Sequence, residues 1–467
     1  MLANRFGAAR PLRLIVLVVA LYGLYWVSGF PRTYDDDELP PSQQSQRMST
    51  SGAVEPDQLI VSVKTTTSNA WTELPPLLVL TEPAYHDSLL LMGDLRLNLG
   101  PFTVEDVLDR YTESFVEDNP EMDRYRKTLE FADSSVDFVE LKEKDYHKEK
   151  DVLAKLDKYK ILRWVERTWL LRPLRKWFVL TEPDVYLNRP GLLSWLGSYE
   201  PTEYHFFANT PATDAGHTII LSNAVMKAIM EDNPDLIPYY DNNIRTHKNA
   251  FEVLTTVLSK TLDVSPNATW PSISEYNPAT APYGLGLWCE HVLAMSKMST
   301  DLRNEMWRFE RERQDQQNSD ALCFADLWFR FMQPENLDDP RDNWDNLSSG
   351  PGYGQWNILF DRKRHQKSNK SIGKAKPGEA SWEACRDSCS ENEFCVQWSY
   401  SSLPMSNHNE NGETRCHLSR SMKFGSHVAP QEIVRGGKGA ALVWKSGWEK
   451  ARFLSWARQQ RCKKQQN

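Results

Sequence analysis

The stretch that most constrains the fold is residues 176–186, with the sequence KWFVLTEPDVY. Its apolar run, 177–180, has the length and composition of a strand that is buried on both faces. Pro183 cannot donate a hydrogen bond to a sheet ladder, so the strand should end there. Glu182 and Asp184 then lie at the carboxyl end of a buried strand, where open α/β sheets bind ligands. They predict either a site for a divalent cation that neutralises a diphosphate, or only a solvated acidic turn.

The segment before this strand has a helical pattern. Over residues 148–171, apolar side chains recur at helical spacing: Leu153, Leu156, Tyr159, Leu162 and Val165. A helix followed by a buried strand predicts an α/β sheet. The pattern also predicts strands at 77–81 and 204–207, a turn that leads into a strand over 214–222, and helices at 103–111, 223–231, 250–262, 300–314 and 325–331.

The N-terminus predicts a membrane anchor. Residues 14–30 are apolar and uncharged, with three arginines before them and four consecutive acidic residues after them. The run is about long enough to cross a bilayer, and its basic side should remain in the cytosol. Bulky residues at its end favour an uncleaved anchor over a signal peptide. We therefore expect a cytosolic tail at 1–13, a single-pass type II protein of the Golgi or another secretory membrane, and a disordered stem at 31–70.

Sequons and cysteines agree with a lumenal body. Asn267, Asn346 and Asn369 each begin an N-glycosylation triplet. All seven cysteines follow residue 288, and four of them lie between 385 and 416. In a secretory compartment this cluster predicts disulfides rather than a zinc site, with three connectivities open. Among the other three, Cys289 could pair with Cys323, which would leave Cys462 over.

The flanks of the acidic turn resemble a known family. WFVLTEPDVYL, followed by LLSWL at 192–196, is similar to the fungal Fringe-like branch of glycosyltransferase family 31. The segment KLDKYK at 155–160 resembles a nucleotide-contacting segment of that family, although a solvated helix face would look the same. Residues 342–346 resemble the segment that closes its catalytic domain. The resemblance covers roughly residues 71–348.

The resemblance implies a GT-A fold, in which one Rossmann-like α/β sheet binds a UDP-sugar donor and a divalent metal, usually manganese. By position, Asp184 would be the metal ligand and Glu182 would lie near the donor sugar or ribose. Tyr186 would pack beneath the turn, and Lys155 and Asp157 would contact the nucleotide. The implied activity is transfer of a hexose to a glycan or glycoprotein acceptor.

The sequence departs from the family at three places. The glycine-rich turn of the family corresponds to residues 213–218, which keep one glycine. The position of the expected base holds Phe251, so Glu252 or Asp214 would have to act instead. The paired histidines correspond to Ser296 and Lys297, and Lys297 could neutralise the diphosphate directly. Two hypotheses follow: a divergent hexosyltransferase, or a catalytically inactive pseudo-glycosyltransferase that binds glycans or proteins.

The C-terminal part predicts a second domain. Residues 349–377 are rich in Gly, Lys and Ser and predict a linker. Residues 378–448 contain the four clustered cysteines and resemble an apple/PAN-type domain, a small α+β module stapled by disulfides. Such a module would either bind a protein or carbohydrate ligand or serve only as a structural appendage. Residues 449–467 predict a basic tail. The net charge of −8 gives no indication of a nucleic-acid partner.

Overall fold

The computed structural model describes residues 54–134, 137–209, 218–317, 320–332, 337, 339–348, 357–358, 378–403, 413–435 and 438–462. The predicted anchor at 14–30, the candidate base Asp214, the sequon at Asn369 and all but two residues of the predicted linker lie outside this part of the chain. No helix in the described ranges has both the length and the apolar character needed to cross a membrane.

The described residues form nineteen strands and twelve α-helices. The strands are β1 Leu59–Lys64, β2 Leu89–Gly93, β3 Leu97–Leu99, β4 Phe102–Asp106, β5 Trp177–Thr181, β6 Tyr186–Leu187, β7 Phe206–Ala208, β8 Ile219–Ser222, β9 Asn267–Ala268, β10 Ile273–Ser274, β11 Ala294–Met295, β12 Arg341–Asp342, β13 Trp344–Asp345, β14 Asn357–Ile358, β15 Gln397–Leu403, β16 Glu413–Ser419, β17 Ser426–His427, β18 Gln431–Arg435 and β19 Lys438–Trp448. The helices are α1 Thr67–Leu80, α2 Glu113–Asp118, α3 Asp123–Ala132, α4 Tyr146–Leu171, α5 Arg189–Leu196, α6 Asn223–Lys227, α7 Leu236–Asp241, α8 Ala250–Leu262, α9 Thr300–Asp315, α10 Phe324–Leu327, α11 Trp382–Ser390 and α12 Lys450–Gln459.

The main sheet confirms the predicted α/β class. Its eight strands run in the order β3-β4-β2-β1-β5-β8-β7-β9. The four strands β4, β2, β1 and β5 are parallel to one another, and β8 pairs with β5 in the antiparallel sense. This mixed sheet, with helices on both faces, is compatible with a Rossmann-like arrangement.

Strand β5 lies inside the sheet, as its apolar run predicts. All five of its residues are buried. Trp177 and Val179 pack in a core with residues of α1 and α5, whereas Phe178 and Leu180 pack in a second core with residues of α4 and α8. Alternate side chains of a strand point to opposite faces, so β5 joins the two cores.

The predicted stem is wrong at its C-terminal end. Residues 59–64 form β1, which pairs with β2 and β5 in the middle of the sheet. The residues from Leu59 to Val63 are all buried. Residues 31–70 are polar on average over forty residues, so their composition did not indicate the one short apolar strand among them. The stretch predicted as a strand at 77–81 belongs almost entirely to α1.

The helix predicted at 103–111 is also wrong. Residues 102–106 form β4, which pairs in parallel with β2 through Leu91 and Val104. The carboxylate of Asp106 accepts a hydrogen bond from the backbone N–H of Leu108 at 2.7 Å, which closes a turn at the end of the strand. Pairing with β2 gives this segment burial and hydrogen bonds that favour a strand. The local sequence pattern contains no information about that pairing.

The longer predicted helices are confirmed. Helix α4 begins at Tyr146 after Asp145, whose carboxylate caps two backbone N–H groups, and ends at Leu171 as predicted. Helix α8 has the predicted bounds, with Asn249 as its N-cap. Helix α9 is capped by Ser299. In each case a capping side chain precedes a periodic apolar pattern, which is the strongest local signal for a helix start.

The C-terminal cysteine-containing segment shares a core with the residues before it. Val396, Met422 and Trp448 pack in one cluster with side chains between 276 and 337. Strand β12 pairs with β19, and β13 pairs with β17. The segment at 342–346, expected to close the first domain, therefore contributes to the C-terminal sheets.

The predicted basic tail is wrong as well. It contains helix α12, whose Phe453 and Ala457 are buried. Phe453 lies 6.0 Å from Trp288 and 5.2 Å from Trp328 between ring centroids. Arg458 is exposed, whereas Lys450 and Arg452 donate hydrogen bonds to the backbone carbonyls of Leu337 and Asn392. Composition alone therefore did not reveal this amphipathic helix.

Three disulfides are formed: Cys385–Cys416, Cys389–Cys395 and Cys289–Cys462. The first pins α11 to β16, as the apple-like pattern predicts, whereas the second closes a short loop after the helix. The suggested Cys289–Cys323 pair is wrong, because α12 brings Cys462 to Cys289. Cys323 is a free thiol.

One predicted glycosylation site is excluded by burial. Asn346 has no exposed surface, and its amide nitrogen donates hydrogen bonds to the carbonyls of Trp398 and Gly447 at 3.0 and 3.3 Å. An asparagine in this position supports the C-terminal sheet and cannot carry a glycan in the folded protein. Asn267 lies exposed in β9.

Lys423 is buried in the C-terminal sheet region. It has no exposed surface, and its ammonium group donates to the hydroxyls of Ser419 and Ser421 at 3.1 and 3.0 Å. Burial lowers the pKa of Lys423 to about 7, although the charge of Asp345 opposes that effect. Lys423 therefore loses its proton at a much lower pH in the folded protein than in the unfolded chain.

We expect Cys289→Ser to lower the free energy of unfolding by about 2–5 kcal/mol, because the Cys289–Cys462 bond closes a loop of 173 residues. Thermal and urea unfolding of the full chain measure the effect. The matched control is Cys323→Ser, which replaces a free thiol at the N-cap of α10 by a good capping residue and should change stability by less than about 1 kcal/mol. Equal effects of the two variants would contradict the assigned pairing.

We also expect Lys423 to make the stability depend on pH. Between about pH 7 and its unfolded pKa, the unfolded chain binds more protons at this residue than the folded protein, so stability rises with pH. The stability of the wild type relative to Lys423→Met should therefore rise by about 1–3 kcal/mol from pH 7 to pH 9. Urea unfolding at both pH values measures this difference, and a constant difference would refute the assignment.

Candidate functional site

The candidate site lies at the carboxyl edge of the parallel strands. Lys64 is the last residue of β1, Asp94 follows β2, and Glu182 follows β5. Because parallel strands all end at the same edge of a sheet, these three side chains come together although 118 residues separate the first from the last. Helix α4 crosses the same edge and adds Asp157 and Lys160.

Lys64 is the centre of this charge cluster. Its ammonium group lies 2.5 Å from Oδ2 of Asp157 and 3.1 Å from Oε1 of Glu182. Burial alone would lower the pKa of Lys64, but the two carboxylates raise it above its ordinary value. Burial would likewise raise the pKa of Asp157, but Lys64 and Lys160 hold it below its ordinary range. Lys64 and Asp157 therefore stay charged at neutral pH.

Lys160 is the most enclosed member of the cluster. It has no exposed surface, and its ammonium group lies 3.3 Å from Asp94 and 3.6 Å from Asp157. In the described part of the chain, neither this ammonium group nor Oδ1 of Asp157 has a hydrogen-bond partner. Asp94 also accepts two hydrogen bonds of 2.6 Å from Thr67, the first residue of α1. The cluster thus ties two helices to the sheet edge.

Asp184 follows Glu182 in the turn, with Pro183 between them, and it is half-buried. Burial and the charge of Glu182 raise its pKa to about 6, against the opposing effect of Arg303 and of backbone N–H groups that include that of Lys297. The carbonyl of Asp184 accepts a hydrogen bond of 2.8 Å from Met298, and Arg303 donates to the carbonyl of Pro183 at 2.6 Å. These backbone hydrogen bonds hold the turn in place. The carboxylate of Asp184 itself is stabilised by the positive charge of Arg303.

The predicted nucleotide-contacting residues separate into two groups. Asp157 and Glu182 are in the charge cluster, whereas Lys155 is exposed on α4. Lys297 comes close to Asp184 through its backbone, with a left-handed φ of 57°, and its side chain is exposed.

Glu252 lies in the first turn of α8. Its carboxylate accepts the backbone N–H of Lys248 at 2.6 Å, and its own N–H donates to Asn249 at 2.9 Å. These bonds give it a role in starting the helix. Phe251 packs in the core with its ring centroid 6.0 Å from that of Phe206, so it stabilises the fold. The other candidate base, Asp214, is outside the described residues.

Whether the acidic turn can hold a divalent metal ion depends on Asp184. No group of three or more Cys, His, Asp or Glu side chains placed for metal binding occurs in the described ranges. Glu182 is engaged by Lys64, which leaves Asp184 as the carboxylate of the turn available to a cation. Magnesium and manganese sites that use one protein carboxylate complete their coordination with substrate phosphate and water, and Asp184 suits that kind of site.

A cavity of about 120 Å³ lies behind the turn, and Glu182 is among its lining residues whereas Asp184 is not. It is smaller than the roughly 300 Å³ of a typical ligand pocket, so it is not the nucleotide-sized hollow that the turn predicts. Tyr186 is buried beside it, as predicted, and donates a hydrogen bond of 2.8 Å to Glu310.

Sequence reasoning missed Lys64, Asp94, Lys160 and Arg303. The signal for Lys64 was present: a lysine directly after the apolar run 59–63, in the same relation as Glu182 to β5. It was overlooked because the whole region was assigned to the stem. Asp94 and Arg303 had no local signal, since their position depends on the pairing of β1 with β2 and on the packing of α9.

The chain matches no protein-family model and no curated protein. The functional argument therefore depends on the residues of the site.

We expect Lys160→Met to lower the free energy of unfolding by roughly 3 kcal/mol or more, because it leaves the buried carboxylate of Asp94 without its counter-charge. Lys155→Met, one turn earlier on the same helix but exposed, should change stability by less than about 0.5 kcal/mol. Urea unfolding measures both. If the two variants are equally stable, the cluster does not hold the sheet edge together.

Proposed function

We propose that the protein is a nucleotide-sugar-dependent glycosyltransferase of GT-A type, a divergent relative of the Fringe-like branch of family 31. It transfers a hexose from a UDP-sugar to a glycan or glycoprotein acceptor in the Golgi lumen, where residues 14–30 anchor it. The observation that carries the proposal is the convergence of Lys64, Lys160 and the Glu182–Asp184 turn at the carboxyl edge of a parallel sheet.

The roles of the residues follow from their charges. Asp184 holds a divalent cation, usually manganese in this family, which neutralises the charge that develops on the leaving diphosphate. Arg303, whose charge already acts on Asp184, adds a fixed positive charge on the same side of the turn. Lys64 and Asp157 fix the position of Glu182, which then orients the donor sugar through its free oxygen.

The acceptor hydroxyl requires a base within hydrogen-bond reach. The two candidates are Glu252 and Asp214. The carboxylate of Glu252 is engaged at the start of α8, so its action as a base requires that this bond be exchanged for the acceptor.

A second function is favoured by the engaged carboxylate of Glu252. Because Glu252 is engaged and the described residues contain no three-ligand metal group, the protein would bind UDP-sugars or glycans without transferring a sugar. In either case we propose that the segment around α11 and its disulfide to β16 acts as an apple/PAN-like binding module for a protein or carbohydrate ligand.

The decisive measurement is UDP binding by the full chain, in detergent, with and without manganese. We expect manganese to strengthen UDP binding. In the presence of manganese, Asp184→Asn should weaken UDP binding at least tenfold, because it deletes the charge that ligates the metal. Asp151→Asn, an exposed aspartate on α4, is the matched control and should have no effect.

Turnover separates the two functions. Transfer and hydrolysis are measured over several UDP-hexoses with manganese present. Transfer that Asp184→Asn abolishes supports the enzyme, whereas UDP binding without turnover supports the binding protein. Absence of UDP binding to the wild type at millimolar nucleotide would exclude the transferase and the binding of UDP-sugars.

A further inference from the structure

The cavity of about 120 Å³ lies on the face of the sheet opposite Lys64. Val61 and Val63 line it, whereas Lys64 next to them on β1 points to α4 on the other face. Its walls come from the C-terminal half of α1, the turn after α1, the start of α5 and helix α9. A single water needs about 10–15 Å³, so this cavity has room for a small molecule rather than an isolated water.

Arg189 supplies a positive charge to this cavity. In the described ranges its guanidinium group makes no hydrogen bond and no ion pair within 4.0 Å, and it stacks over the ring of Tyr85 at 4.7 Å. Burial lowers the pKa of Arg189 to about 10, although Tyr85 and Glu310 oppose the effect, so the group remains charged at neutral pH. Arg189 is only partly exposed, and a guanidinium group whose donors are not paired within the described residues can bind a planar oxyanion through two parallel hydrogen bonds.

The opposite wall carries an acceptor. Glu310 on α9 accepts a hydrogen bond of 2.8 Å from Tyr186. Burial raises the pKa of Glu310 to about 7 despite that bond. Glu310 is not in ion-pair contact with Arg189, so the two groups face the cavity separately. The cavity therefore offers one site for an anion and another for a hydroxyl donor.

The remaining lining decides which anion fits. Glu82, Glu182 and Arg303 also line the cavity, so together with Glu310 three carboxyl groups face two guanidinium groups, and a doubly charged phosphate would be repelled by the excess of carboxylates. A monocarboxylate whose other groups are neutral hydroxyls avoids this repulsion and can donate to Glu310. Trp307 and the apolar side chains of α1 offer a surface for the carbon face of a ring.

We propose that this cavity binds a sugar acid, a hexuronate-sized hydroxycarboxylate, with its carboxylate on Arg189 and a hydroxyl on Glu310. Glu182 and Arg303 border both this cavity and the proposed donor site, but the binding of a sugar acid here needs neither nucleotide nor metal, so the site does not depend on the proposed transferase function.

The test is calorimetric titration of the full chain with glucuronate, glucose and inorganic phosphate, without UDP or manganese. We expect glucuronate to bind at least tenfold more tightly than glucose, its neutral counterpart, and more tightly than phosphate. Arg189→Met should weaken glucuronate binding at least tenfold. Arg308→Met, which removes an exposed arginine of α9 that is paired with Glu305, should leave it unchanged.

Equal affinity for glucuronate and glucose would overturn the proposal, as would tighter binding of phosphate or unchanged binding by Arg189→Met. If Arg189→Met does not fold, Arg189→Lys replaces it: it keeps the charge but loses the two parallel hydrogen bonds, and it should bind glucuronate more weakly than the wild type. Since UDP binding is measured separately, failure of either proposal leaves the other standing.

Discussion

The structure depends on the set of opposite charges enclosed at the carboxyl edge of the main sheet. Lys64 lies between Asp157 and Glu182, and Lys160 lies between Asp94 and Asp157. Taking each of these charges out of water costs several kcal/mol, and only close pairing within the set offsets that cost. The strands β1, β2 and β5 and the helix α4 must therefore keep one relative position, or a buried charge loses its partner.

The same cluster explains why this edge is the most plausible place for chemistry. A core that needed only stability would gain as much from apolar side chains of the same volume. Here the sheet instead keeps two lysines and three carboxylates, and Asp184 follows them with a pKa near 6. Groups with perturbed pKa values at the ligand-binding edge of an α/β sheet are typical of functional sites.

The C-terminal segment adds a second kind of constraint. Its residues pack with Trp288 and Trp328 in a common core, and the Cys289–Cys462 bond joins two positions 173 residues apart. Small segments of fewer than about 80 residues depend on disulfides. This one also gains from the apolar surface it shares with the rest of the chain, so truncation after residue 448 would remove part of that shared core along with α12.

The sequence by itself determined the elements whose signal is local. The strand at 177–181 is apolar throughout, and α4, α8 and α9 each combine an N-cap with an apolar period, so burial and capping predicted them. Only the tertiary structure decided that residues 59–64 are a central strand, that 102–106 pair with β2, and that Cys462 bonds Cys289. Of the site, Glu182, Asp184 and Asp157 could be named from sequence, and Lys64 had a local signal that was overlooked, but Asp94 and Lys160 could not be named. The physical reason is that a strand pairing, a disulfide and a buried ion pair are each contacts between residues far apart in the chain, and no local pattern encodes their partner.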